Sequence, residues 1–382
     1  MRKLSKSVES VESSLTLRID SKAKALKKAG RDMVLFTAGE PDFNTPEAVK
    51  KAAVEAINAN FTKYTKSNGI VELREGICEK LKKDNGISYL SDEIVVSNGG
   101  KQALYNALGA ILNPNDEVIL FTPAWVSYSP QIRFWKAKPV EVETFPENGY
   151  LPEKNALEGA ITDRTKAILF NSPNNPTGTV YDMKTLEMIA KVAKKYDLYV
   201  VTDEVYEKMV YDVPHISIAS IEGMRERTIT VNGFSKSHAM TGWRVGYSAA
   251  PLEISKQISK IQSHTTSNIN SIAQMAALKA LTVDTTYMMD EYKKRRDLIT
   301  DLLSKAHFKF FKPKGAFYVM VDLNEFLAGR KTEDLCVELM EKAGVAVIPA
   351  DGFGAKGFIR ISFATSQEQI KLGIERLTGY LK

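Results

Sequence analysis

The sequence predicts an α/β fold that passes into a smaller α+β unit toward its C-terminal end. Two patterns predict it. Short apolar runs, Ile94-Val-Val-Ser97, Val118-Ile-Leu-Phe121, Ala167-Ile-Leu-Phe170, Leu198-Tyr-Val-Val-Thr202 and Thr228-Ile-Thr-Val231, alternate with stretches of helical periodicity, as a parallel sheet covered on both faces requires. Beyond residue 284 a long charged helical stretch gives way to apolar runs with fewer helices between them.

Taken in order, the chain opens with a polar arm in which Ser13-Ser-Leu-Thr-Leu17 and Leu35-Phe-Thr-Ala-Gly-Glu-Pro-Asp-Phe43 bracket a Lys-rich helical stretch. Thr45 is placed to cap a helix whose first residue is Pro46, with Glu47 in its first turn, and Val49, Ala53 and Ile57 share one face. A polar loop, Lys63-Tyr-Thr-Lys-Ser-Asn-Gly69, precedes a helix from about Ile70 that turns Leu73, Ile77 and Leu81 inward and closes at Asn85-Gly86. Helices are expected near 100–112, 183–196 and 252–264; in the first, Leu104, Leu108 and Leu112 recur every four residues. The C-terminal unit reads as a helix near 284–305, Ala316-Phe-Tyr-Val-Met-Val321, a helix near 332–343, Val345-Ala-Val-Ile348, Phe358-Ile-Arg-Ile-Ser-Phe363 and a terminal helix. The N-terminal arm is expected to complete it.

Composition narrows the function. At 382 residues the chain is long enough for roughly two domains. Its 44% hydrophobic and 26% charged content, with mean hydropathy −0.21, describe a globular chain rather than a disordered one. No apolar run reaches membrane-span length, and the start shows no signal-peptide core, so a cytoplasmic protein is expected. Cys78 and Cys336 argue against a disulfide framework. His215, His238, His264 and His307 form no pair at zinc-ligand spacing, so no metal is expected. A formal charge of +6 from 52 basic and 46 acidic residues, without a long basic run, leaves little support for a nucleic-acid partner.

The chemistry gathers in loops after the predicted strands. Asn232-Gly-Phe-Ser-Lys236 follows an apolar strand, and Arg244 lies eight residues after Lys236. The carboxyl ends of strands are where open α/β sheets place ligands. A lysine able to form an imine, with Ser235 and Arg244 beside it for a phosphate, is what pyridoxal phosphate (PLP) requires; a solvated Ser-Lys pair is the plainer alternative. Ser97-Asn-Gly-Gly-Lys-Gln102 leaves a strand and opens a helix, so the amides of Gly99, Gly100 and Lys101 can face an anion, unless it is an ordinary turn. In Asn171-Ser-Pro-Asn-Asn-Pro-Thr-Gly178, Asn175 can offer its amide to a phenolate oxygen. Asp203 ends an apolar strand; a carboxylate there needs a cationic partner, such as a protonated pyridine nitrogen, or else serves as a helix cap. Tyr206 follows within reach of the same ring.

With Ala38-Gly-Glu-Pro-Asp-Phe43, Lys63-Tyr64, Gly99-Gly-Lys-Gln102, Asn174-Asn-Pro-Thr-Gly178, Asp203-Glu-Val-Tyr206, Ser235-Lys236, Gly242-Trp-Arg-Val-Gly246, Gly315-Ala-Phe-Tyr318 and Arg360 in this order, nearly the whole chain resembles the fold-type I, PLP-dependent class I aminotransferases, and most nearly their bacterial aspartate-using members. The resemblance implies a large PLP-binding domain over 48–285 with a mostly parallel seven-stranded sheet sandwiched by helices. The small α+β domain would comprise 1–47 and 286–382. It makes Lys236 the covalent tether, Asp203 the partner of the pyridine nitrogen, and Asn175 and Tyr206 the partners of the phenolate oxygen. Trp125 would stack on the ring, and the amides from Gly99 to Lys101, Ser235 and Arg244 would hold the phosphate. Tyr64 would come from the second subunit of a homodimer with shared active sites. Arg360 would clamp the substrate α-carboxylate, with Gly39 close by, and Lys101 with Thr16 would meet a distal carboxylate. Asn175 and Trp125 would also border the substrate. On residue type alone, Trp125 would pass for a core aromatic and Arg360 for a surface charge on an edge strand.

The reaction so implied is ping-pong transfer of aspartate's amino group to 2-oxoglutarate, giving oxaloacetate and glutamate, with Lys236 as proton carrier. Aromatic or prephenate amino transfer is the alternative, and a PLP-dependent lyase on the same fold is a further one. A PLP-binding regulator would need a DNA-binding segment, for which little chain precedes the first sheet-domain helix.

Overall fold

The computed structural model describes Ser5, Val8 and residues 15–382; Ser13 and Ser14 of the arm lie outside the described residues. Thirteen strands occur among them: β1 Val34–Leu35, β2 Ile94–Ser97, β3 Glu117–Thr122, β4 Lys138–Glu143, β5 Thr165–Asn171, β6 Tyr199–Asp203, β7 Thr228–Gly233, β8 Gly246–Ala249, β9 Lys309–Phe311, β10 Tyr318–Asp322, β11 Val345–Ala346, β12 Ile348–Pro349 and β13 Phe358–Ser362. The large sheet runs β2-β8-β7-β6-β5-β3-β4. Only β8 runs opposite to the other six strands. The fold is therefore α/β, with a mostly parallel seven-stranded sheet.

Alternation along the strands explains why both faces are covered. Val118, Leu120, Leu169, Val201, Ile229 and Val231 pack with Leu104 and Leu108 of the helix Gly100–Ile111 and with Ile254 and Ile258 of the helix Leu252–Thr265. The intervening Ile119, Phe121, Ile168, Phe170 and Val200 pack on Leu186, Ile189 and Ala193 of the helix Met183–Lys195. Residues one apart point to opposite faces of a strand, so two cores form from one set of apolar runs. Each such side chain fully buried contributes about 1.5–3 kcal/mol.

The C-terminal part forms a four-stranded antiparallel sheet, β12-β13-β10-β9, packed with the helices Thr286–Lys305 and Gln367–Leu381. The arm joins it: the helix Leu15–Lys28 is followed by β1, which pairs in parallel with β11. Among the described residues no helix is long and apolar enough to cross a membrane.

Several local expectations need correction. Thr45 does not cap the helix Glu47–Asn58; its hydroxyl donates to the Ala239 carbonyl at 2.7 Å and accepts from Trp243 Nε1 at 3.0 Å, which leaves Pro46 at the cap position. The buried face of that helix is Val49, Ala53 and Ala56, whereas Ile57 is 51% exposed. β4 and β8 escape the reading of apolar runs. Lys-Pro-Val-Glu-Val-Glu is an edge strand whose charges and proline suit one free side, and Gly-Tyr-Ser-Ala has no β-branched residue.

Candidate active site

Register brings the chemistry together. Asn171 of β5 lies opposite Asp203 of β6, and Asp203 opposite Val231 of β7. The three parallel strands thus deliver Asn171, Asp203 and the loop carrying Ser235 and Lys236 to one end of the sheet. At β8, Gly246 pairs with Gly233 and with Ser97 of β2. A Cβ on Gly246 would lie 2.3 Å from the Gly100 nitrogen, so glycine lets the turn after β2 approach the lysine loop.

These elements border a cavity of about 480 Å³ lined by Thr16, Gly39, Gly100, Lys101, Trp125, Asn175, Asp203, Tyr206, Ser235, Lys236, Arg244 and Arg360. Two anticipated residues stand apart. Tyr64 is 89% exposed and not in the cavity wall of its own chain. The Gly99 amide donates to the Ser97 carbonyl at 2.7 Å, so it turns inward and does not face an anion. Gly100 and Lys101 remain, as first-turn amides that lack intrahelical acceptors. Gly99 is still required: its φ is 79°, and a Cβ there would meet Arg244 Nη2 at 2.7 Å.

Lys236 donates from Nζ to the Gly39 carbonyl. Burial lowers its ammonium to about 8, against the opposing pull of Glu40. Asp203 sits on the opposite electrostatic side of the problem. Burial raises its carboxyl to about 6, although Tyr128 Oη donates to Oδ2 at 2.9 Å and the Val205 amide to Oδ1 at 3.2 Å. Among the described residues it has no ion-pair partner. A buried carboxylate in that position fits a group that brings its own positive charge, as a pyridinium does. It ends a strand and caps no helix.

Arg360 is no surface charge. It lies on β13, an inner strand, and is 5% exposed between the rings of Tyr318 at 4.3 Å and Phe353 at 5.1 Å. Nη1 donates to Asn175 Oδ1 at 3.0 Å and Nη2 to the Thr37 carbonyl at 3.2 Å. Tyr206 Oη lies 3.0 Å from Tyr318 Oη, both buried. A Cβ on Gly39 would meet nothing nearer than Tyr318 Oη at 3.9 Å, so the chain's own packing leaves that space to a ligand. Lys101 Nζ leans 4.8 Å above the Trp125 ring, and desolvation together with Arg244 lowers its pKa. Arg244 donates to the Thr241 and Asn98 carbonyls.

Sequence reasoning passed over Tyr128, Tyr318 and Glu40. Tyr318 stands in the quoted Gly315-Ala-Phe-Tyr318 and Glu40 in Ala38-Gly-Glu-Pro-Asp-Phe43, but only long-range packing brings them to the cavity. Tyr128 follows Trp125 by three residues, the sole local hint. Elsewhere Glu204, Glu207 and His215 cluster closely enough to suggest a metal ion. Lys80 already pairs with Glu207, and His215 Nε2 lies 3.1 Å from Glu204, so both carboxylates already have partners within the protein.

The arrangement offers an amine of lowered pKa, a buried carboxylate with no counter-ion among the described residues, and guanidinium and ammonium groups for anions at both ends. Comparison with known proteins matches it. The profile of the family described as aminotransferase class I and II covers residues 31–377. An aspartate aminotransferase of Thermotoga maritima is 44% identical over 378 residues, 99% of each chain. An aspartate/prephenate aminotransferase of Thermus thermophilus is 43% identical over 387 residues, 100% of this chain and 99% of that one. The solved structure of a Thermus thermophilus aspartate aminotransferase with maleate superposes with TM-score 0.96 at 43% identity, covering all of both chains.

Proposed function

The chain belongs to the class I and II aminotransferases, and from that premise we propose that it uses pyridoxal phosphate to move the amino group of aspartate to 2-oxoglutarate. The observation that carries the cofactor reading is Asp203, a buried carboxylate without a cationic partner among the described residues, in the same cavity as Lys236 and Arg360. When bound, the cofactor supplies the electron sink that lets an amino acid's α-proton leave.

The chain's own residues supply the rest. Lys236 would tether the cofactor and, with its pKa lowered from 10.5 to about 8, has a far larger neutral fraction near neutral pH than an ordinary lysine with which to take and return the α-proton. Asp203 would keep the ring nitrogen protonated. Asn175 and Tyr206 would border the phenolate oxygen, and Trp125 would stack on the ring. Gly100, Lys101, Ser235 and Arg244 would hold the phosphate. Arg360, with the rings of Tyr318 and Phe353 against its guanidinium, would present its fork to the α-carboxylate near Gly39, and Lys101 with Thr16 would receive the distal carboxylate. Support for a dicarboxylate comes from the Thermus protein solved with maleate, itself a dicarboxylate. Prephenate amino transfer is a second reading, favoured by the name of the Thermus relative.

We read residues 48–285 as a large domain and 1–47 with 286–382 as a small one. We also read the enzyme as a homodimer: Tyr64 is exposed, as are Val54, Ile57, Phe61 and Val71 in the flanking sequence, each at least 36% exposed, and the second subunit would receive Tyr64 at its phosphate. The test is a half-reaction. PLP-loaded protein given glutamate and no acceptor should release one equivalent of 2-oxoglutarate per site; sustained consumption of amino acid without an acceptor would instead mark a lyase.

A further inference from the structure

We propose that Tyr128 is a positioning residue for the cofactor, its phenol fixing the Asp203 carboxylate while its ring braces Trp125, so that one side chain aligns two separate contacts to the pyridine ring. The inference rests on the PLP reading given above and adds a residue that reading does not use.

Tyr128 opens the helix Tyr128–Phe134 and is 1% exposed. Its Oη donates to Asp203 Oδ2 at 2.9 Å, and its ring stands edge-on to Trp125, centroids 5.3 Å apart at 80°. The Val205 amide fixes the other carboxylate oxygen at 3.2 Å. With both oxygens held, the carboxylate cannot rotate, and a directional hydrogen bond to a ring nitrogen depends on that plane. Burial and the neighbouring Asp203 charge keep the Tyr128 phenol protonated, so it remains a donor.

The other groups facing Asp203 cannot substitute. Glu204, next in the chain, disfavours its ionised form; Lys236, from the loop after β7, favours it through space. Tyr206, from the turn after β6, donates no hydrogen bond to it and is paired with Tyr318. Tyr128 is therefore the only side chain among the described residues that hydrogen-bonds this carboxylate. The Lys101 ammonium also lies against Trp125, 4.8 Å from its ring centroid, so the indole is bordered both by this cation and by the edge-on ring of Tyr128.

The test is PLP binding by the full-length apoenzyme, titrated across pH 5.5 to 8.5, for wild type, Tyr128→Phe, Tyr128→Leu, and Tyr128→Phe in an Asp203→Ala background. Tyr128→Phe keeps the ring and should raise Kd about tenfold at pH 7. Because the lost hydrogen bond favours the ionised carboxylate, the acid limb of binding, expected near pH 6 in wild type, should move upward by about one pH unit. Tyr128→Leu, which also removes the brace, should bind more weakly still. In the Asp203→Ala background Tyr128→Phe should have no further effect. A Tyr128→Phe protein with wild-type affinity and pH profile, or with the same loss whether or not Asp203 is present, overturns the inference. Failure of wild type itself to bind PLP overturns the cofactor reading instead.

Discussion

Arg360 Nη1 donates to Asn175 Oδ1 at 3.0 Å, so the arginine read as the clamp for the substrate α-carboxylate leans on the asparagine read as a partner of the cofactor. The contact orients the guanidinium, and the rings of Tyr318 and Phe353 lie against it, 4.3 and 5.1 Å from Cζ. A lysine cannot reproduce that fork. Arg360→Lys should lower kcat/KM by roughly 10- to 150-fold. Aspartate, glutamate, phenylalanine and alanine should suffer alike, because all share the α-carboxylate. A panel of donors checks this, and selective loss of dicarboxylates would place Arg360 at the distal end.

Asp203 gives a prediction about the apoenzyme. Its carboxyl is raised from 3.8 to about 6 by burial. Between those values the folded chain holds a proton that the unfolded chain has lost, so apoenzyme stability falls as pH rises through that window. Above pH 6 the full penalty stands, roughly 3 kcal/mol at about 1.36 kcal/mol per unit. Asp203→Asn should therefore stabilise the apoenzyme at pH 7 to 8 and lose that advantage near pH 4, while binding PLP poorly. Denaturant melts of both apo proteins across pH measure it; an unchanged difference at all pH values would sink the account.

The sheet was legible because parallel strands buried on both faces are written as unbroken apolar runs, such as Ala167-Ile-Leu-Phe170, and their ends announce the loops of the site. β8 was not, since Tyr247 and Ala249 owe their burial to the strands on either side rather than to local pattern. Lys236 and Asp203 stand at predictable strand ends. Arg360 and Tyr318 could not be placed from pattern alone, because their burial depends on the C-terminal sheet closing over residues far away in the chain. Thr45 has a typical cap sequence, yet tertiary packing offered its hydroxyl Ala239 and Trp243 instead. Gly99 likewise reads from sequence as an amide for an anion, whereas its amide is taken by the Ser97 carbonyl and the glycine suits its positive φ and the closeness of Arg244.

Tyr64 tests the shared site. It is 89% exposed and does not line the cavity of its own subunit. Tyr64→Ala and Lys236→Ala subunits should each be nearly inactive as homodimers. Mixed under exchange conditions, they should regain one intact site per heterodimer, formed from wild-type Lys236 of one subunit and Tyr64 of the other. Absence of recovered activity with exchange demonstrated would mean that Tyr64 acts within its own chain or not at all.

Lys101 decides the substrate. Its backbone amide belongs to the first turn of the helix Gly100–Ile111, where an anion is favoured, while its ammonium extends over Trp125 into the cavity. On the PLP reading the two ends of the residue would have separate work, one toward the phosphate and one toward the substrate. A dicarboxylate held by Arg360 would bring its second charge toward this ammonium. Losing one charge-assisted hydrogen bond, about 1.5–3 kcal/mol, corresponds to roughly 10- to 150-fold in kcat/KM at about 1.36 kcal/mol per tenfold. Lys101→Ser keeps the amide and removes the ammonium, so aspartate and glutamate should suffer by that factor while phenylalanine and alanine change little. An equal fall for all four donors would mean that the side chain serves the cofactor, and the case for a dicarboxylate would then lose its physical basis.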